Sequence, residues 1–129
     1  MTAEHWMSEP EAHDYAAARS YLSLLVAGSE AAKLATALRN QKKDRPYAAK
    51  DILRASGLPL LGPDDPEVAA DLDKVKAGKK LSPILLVTGQ PLWVADGYHR
   101  VCATYHLGEK LDVPCRVVAR KPSGGAPRR

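Results

Sequence analysis

Apolar residues recur at helical spacing through roughly the first 80 positions, and from Leu81 the period shortens to that of strands. Ile84-Leu85-Leu86-Val87 and Leu92-Trp93-Val94-Ala95 are strand-sized runs separated by Thr88-Gly89-Gln90-Pro91, which is turn chemistry. A helical stretch follows from about Tyr98 to Leu107, with Gly108 as its stop, and Val113–Val118 reads as a third strand returning beside the first two. The expected fold class is therefore α/β in the α+β sense, with helices ahead of a small mixed sheet.

The N-terminal part sorts into helices by its caps. Ser8-Glu9-Pro10-Glu11 has the pattern of a capping box, and Tyr15, Ala18, Leu22, Leu25 and Val26 follow at helical spacing until Gly28. Ser29 can cap a second helix that ends near Asn40, so residues 1–44 read as an αα-hairpin. Asp44 before Pro46 predicts a short third helix closed by Gly57. Asp65, Pro66 and Gly78 bracket a fourth, whose apolar stripe is Val68, Leu72 and Val75. The domain organisation expected is a hairpin over 1–44, an α/β domain over 45–120, and a disordered basic tail over 121–129.

A net charge of +4 invites a nucleic-acid reading, but three of the positive charges sit in residues 121–129. Without them 16 basic residues face 15 acidic ones. The basic stretch 39–54 has Tyr47 as its one aromatic, and a solvated helical surface is its more common explanation. No apolar run approaches the roughly 20 residues that span a bilayer. The first residues lack the features of a signal peptide, and a cytoplasmic location with two reduced cysteines is expected.

Chemistry concentrates at Asp96-Gly97-Tyr98-His99-Arg100, where a strand turns sharply into a helix. Glycine permits a positive φ or close ligand approach at such a corner. The free N–H groups of the next turn carry the positive end of the helix dipole and bind phosphate readily. Arg100 can add a bidentate fork and His99 a further donor. The same pattern also occurs in α/β domains as plain structure. Tyr98 can stack on a base, donate a hydrogen bond, or merely cover the helix start. His99, Cys102 and His106 share a helix face and Cys115 lies on the neighbouring strand, which admits a zinc reading; two buried, metal-free core cysteines are the simpler view.

Val94-Ala95-Asp96-Gly97-Tyr98-His99-Arg100-Val101-Cys102-Ala103, then Leu107-Gly108, then Val113-Pro114-Cys115-Arg116-Val117 resembles the core of the ParB/sulfiredoxin superfamily. Leu81-Ser82-Pro83-Ile84 matches its usual approach to the first strand, and the resemblance covers about residues 50–120. It implies a nucleotide, ATP or CTP, whose phosphates rest on Gly97, His99 and Arg100, with Tyr98 beside them in the cofactor site; Mg²⁺ is expected to offset the remaining phosphate charge, and Asp96, within the motif, is the candidate catalytic carboxylate of a phosphotransferase or nucleotidase. The position of the sulfiredoxin cysteine is Tyr98 here, so sulfinic acid repair is not expected. The Glu-Asn-x-x-Arg motif and helix-turn-helix that follow this core in ParB proteins have no counterpart in these 129 residues, so a centromere-type DNA clamp is not expected either. A kinase needs a carboxylate base, and Asp51, Asp64 and Asp65 stand upstream unranked. The alternative is a non-catalytic interaction or nucleic-acid-associated module, with the alanine-rich hairpin packing within the chain or across a homodimer.

Overall fold

The computed structural model describes residues 5–120, so the expected disorder of 121–129 lies outside the described residues. The fold is α+β. Helices α1 (Ala12–Leu22) and α2 (Gly28–Asn40) form the hairpin, followed by β1 (Arg45–Ala48), α3 (Ala49–Ser56) and α4 (Pro66–Lys76). Then come β2 (Ile84–Thr88), β3 (Trp93–Asp96), α5 (Tyr98–Leu107) and β4 (Asp112–Ala119). The four strands make one mixed sheet in the order β1-β4-β2-β3, with β2 and β4 parallel and both outer pairs antiparallel.

Strand β2 shows why the sheet must be covered on both faces. All of Ile84 to Val87 are buried. Period-two alternation sends Ile84 and Leu86 into a cluster with Ile52, Val68, Val101 and Val113, beneath α3, α4 and α5. Leu85 and Val87 join Tyr15, Leu22, Leu34 and Leu38 of the hairpin. Each such side chain contributes about 1.5–3 kcal/mol when fully buried. The hairpin is thus the lid of one sheet face.

Three local expectations are corrected. The capping box lies three residues later than read: Glu11, not Ser8, is the N-cap and Asp14 the third helical residue, its Oδ2 accepting from the Glu11 amide at 2.8 Å. The start is delayed because Trp6 forms a bridge with Leu81, with Met7 N–H donating to Leu81 O and Leu81 N–H to His5 O. α1 also stops at Leu22, and Gly28 opens α2 rather than closing α1, with Ala27 and not Ser29 as N-cap. Asp44-Arg45-Pro46 starts a strand, not a helix. Pro46 stands on the outermost strand opposite Pro114, where neither has an N–H to donate, and the Asp44 carboxylate accepts from the Nε of Arg116 at 2.7 Å. Arg116 is itself buried and donates to the carbonyls of Gln41 and Ser8, tying the hairpin's two ends to the sheet.

The brackets read for α4 and α5 hold. Asp65 caps α4 through the amides of Glu67 and Val68, Pro66 is its first residue, and Gly78 follows with φ +77°. α5 runs from Tyr98 to Leu107 with Gly108 behind it.

Candidate functional site at the β3–α5 junction

Gly97 is the N-cap of α5 and takes φ +108°, a conformation that side chains resist. A Cβ there would lie 2.3 Å from Cγ2 of Ile84, so the corner is closed to any other residue on steric grounds as well. No side chain caps the first turn, which opens into a cleft of about 350 Å³. α1 lends it His13 and Asp14, α4 lends Asp71 and Lys74, and the junction supplies Asp96 through Arg100.

Arg100 is the centre of the charge arrangement. Its side chain is 14% exposed. Nη2 donates to Asp96 Oδ2 at 2.8 Å, and Nη1 donates to Ser82 Oγ at 2.7 Å and to Asp14 Oδ1 at 3.4 Å. The fork expected to face a phosphate is therefore spent on two carboxylates and a hydroxyl. Nε alone is buried without a partner among the described residues. An orphaned donor of that kind costs about 1–3 kcal/mol unless water or a ligand meets it.

The two carboxylates are driven apart. Burial, a hydrogen bond to Asp14 and the Asp14 charge push the Asp96 carboxyl up to about 6, against the pull of Arg100. Burial also lifts Asp14, but the Glu11 amide, hydrogen bonds with Asp96 and Ser82, and Arg100 outweigh it and hold Asp14 below its ordinary value. A protonated Asp96 donating to an ionised Asp14 satisfies both tendencies. Splits of this kind occur at proton-handling sites and in structural ion-pair networks alike. Burial raises Asp71 too, opposed by Lys74, Arg100 and His99.

The remaining expected residues have other partners. His99 Nδ1 lies 2.7 Å from Glu67 Oε2, and its ring is about one-third exposed at the mouth of the cleft. The Tyr98 hydroxyl donates to the Pro59 carbonyl, and its ring covers the first core cluster, which is the bland one of its readings. Asp65 is occupied in capping α4, Asp51 pairs with Lys50 and Arg54, and neither they nor Asp64 line the cleft.

Asp14 and Asp71 are the carboxylates that sequence reasoning missed. Asp71 had a legible signal, since it stands three residues after Val68 and four before Val75 and so flanks the buried stripe. Asp14 had only its place in a capping box.

Cys102 and Cys115 are both free and buried in the same cluster. His99 and His106 are turned elsewhere, His106 Nε2 lying 2.7 Å from the Leu61 carbonyl. Among the described residues no group of three or more His, Cys, Asp or Glu side chains is placed to hold a metal ion, and no helix is long and apolar enough to cross a membrane. Trp93 is half-buried, with the Arg120 guanidinium 3.8 Å from its ring centroid. No protein-family model, no curated protein and no solved structure matches this chain.

Proposed function

We propose that this chain is a ParB/sulfiredoxin-like domain that binds a nucleotide, ATP or CTP, by its phosphates at the Asp96–Arg100 junction. The observation that carries the reading is the uncapped first turn of α5, opened by Gly97 into a cleft that also holds Lys74 and His99. Free amides at the positive end of a helix and an adjacent ammonium are the donors that a phosphate requires.

Asp96 is the proton-handling group of this reading, with a carboxyl that changes charge near pH 6. In a phosphotransferase or nucleotidase it accepts the proton of the attacking hydroxyl or water. The carboxylates do not form a cage for Mg²⁺. That ion commonly arrives on the nucleotide's phosphates with most of its water retained, so no step is assigned to a protein-held metal.

The test is a thermal-shift series with ATP and CTP, each with and without Mg²⁺. A ligand present at about 100 times its Kd stabilises by about 2.7 kcal/mol, a rise of roughly 10 °C in a domain of this size. Lys74 is exposed, so Lys74→Ala is expected to leave the unliganded melting temperature unchanged and to reduce the rise. A flat response to every nucleotide removes the reading. The saturation of Arg100 by Asp14, Asp96 and Ser82 then favours the second one, a non-catalytic interaction module in which this cluster fastens the hairpin to the sheet.

A further inference from the structure

The outer face of the hairpin has no role in the site described above. Between α1 and α2 runs an open groove of about 480 Å³, lined by Tyr15, Arg19, Ser20, Ser23, Thr36 and Arg39 among others, and no carboxylate lines it. Arg39 lies over the Tyr15 ring, 5.1 Å from its centroid. Among the described residues neither Arg19 nor Arg39 meets a carboxylate. Residues 15–43 carry five exposed cations, Arg19, Lys33, Arg39, Lys42 and Lys43, against the single acid Glu30.

The end of the groove is apolar. Leu24 is 82% exposed, Leu25 42% and Tyr21 38%. They are held outward by an ordered turn, since the amides of Leu24, Leu25 and Val26 donate to the carbonyls of Tyr21 and Leu22. Leucines grouped and exposed on a fixed turn at the end of a groove whose arginines meet no carboxylate among the described residues form an apolar patch of the kind that marks an interaction surface.

We propose that this groove and its leucine tip dock an acidic segment of a partner protein that carries apolar residues at one end. Its carboxylates meet Arg19 and Arg39, and its apolar end covers Leu24, Leu25 and Tyr21. Charge complementarity selects this occupant. A second copy of the same face would set five cations against five. A nucleic-acid backbone answers the cations but leaves the leucines in water. An anionic membrane that took the tip would leave Arg39 about 16 Å away along α2, beyond the roughly 8–10 Å reach of charge at physiological salt.

The experiment uses the full chain and two fluorescein-labelled peptides rich in glutamate, one with leucines at its N-terminal end and one with them at its C-terminal end, read by anisotropy. One of the two is expected to bind, more weakly as salt rises. Arg19→Glu and Arg39→Glu are each expected to lower affinity about 10-fold or more, and Leu24→Ser about 10-fold. Lys76→Glu, an exposed cation on α4, serves as the control and is expected to have no effect. Far-UV melting curves establish that each variant folds. Absence of binding by both peptides overturns the proposal, as does a loss at Lys76→Glu equal to that at Arg19→Glu, which means unspecific charge attraction. Tighter binding of duplex DNA or phosphatidylserine vesicles with the same Arg19 and Arg39 dependence also overturns it, as does concentration-dependent dimerisation abolished by Leu24→Ser.

Discussion

Replacing Asp96 by asparagine is expected to stabilise this protein at neutral pH. The contrary expectation is natural, because Asp96 lies 2.8 Å from Arg100 and breaking a buried pair commonly costs about 3–5 kcal/mol. Here Arg100 keeps a second carboxylate, Asp14, and a hydroxyl, Ser82. The ionised form of Asp96 is disfavoured despite its cation, since burial and Asp14 lift its carboxyl from 3.8 to about 6. Between those two values the folded state keeps a proton that the unfolded state has lost. Stability therefore falls as pH rises through that window and stays reduced above it. A proton that leaves near 6 rather than 3.8 corresponds to about 3 kcal/mol. Asparagine mimics the protonated acid: its amide can donate to Asp14 while its carbonyl accepts from Arg100. The stability difference, variant minus wild type, should be small near pH 4 and climb towards a ceiling of about 3 kcal/mol near pH 7.5. Urea unfolding at the two pH values measures it. A variant less stable than wild type near pH 7.5, by as much as near pH 4 or more, would refute the assignment of excess negative charge to this cleft.

Gly97→Ala places a methyl 2.3 Å from Ile84 Cγ2 at a φ of +108°, and strain and overpacking together should cost about 2–5 kcal/mol, read as a drop in the urea midpoint and a loss of nucleotide response. The cysteines should be inert. Burial pushes both thiols upward, so a thiol reagent at about pH 8 should label neither until denaturant is added, and prompt labelling of the native protein would contradict their burial.

What could be read from the chain was whatever its local chemistry decides. Helix α5 lies between two glycines and α4 between an Asp-Pro start and Gly78, and these local stops set the bounds of both helices. β2 is recognisable because a strand buried on both faces is apolar throughout. Two of the misreadings share a cause, which is a distant partner; the third, at Gly28, turns on the local turn between α1 and α2. Asp44 looks like a helix cap until buried Arg116 takes its carboxylate across 72 positions. Ser8 looks like one until the bridge of Trp6 to Leu81, 75 positions away, holds the chain ahead of it against the approach to β2.

Arg100 is the sharpest instance, and it bears on what the site can do. From sequence it is a free fork beside a phosphate-binding turn. In the fold it is neutralised by Asp96 from its own junction and by Asp14, 86 residues away on the hairpin. A spent arginine cannot supply the bidentate contact that the motif implies, so any anion at α5 depends on the amides and Lys74. The same partnership gives the hairpin a chemical share in the cleft. Asp14 shifts the proton of Asp96 towards neutrality, and α1 holds Asp14 there through the capping box that opens the helix. Removing the Asp14 charge therefore acts on the acid–base group and on the α1 start together, whereas removing the Asp96 charge acts on the first alone. That asymmetry is why Asp96→Asn is the substitution that isolates the electrostatics of the site.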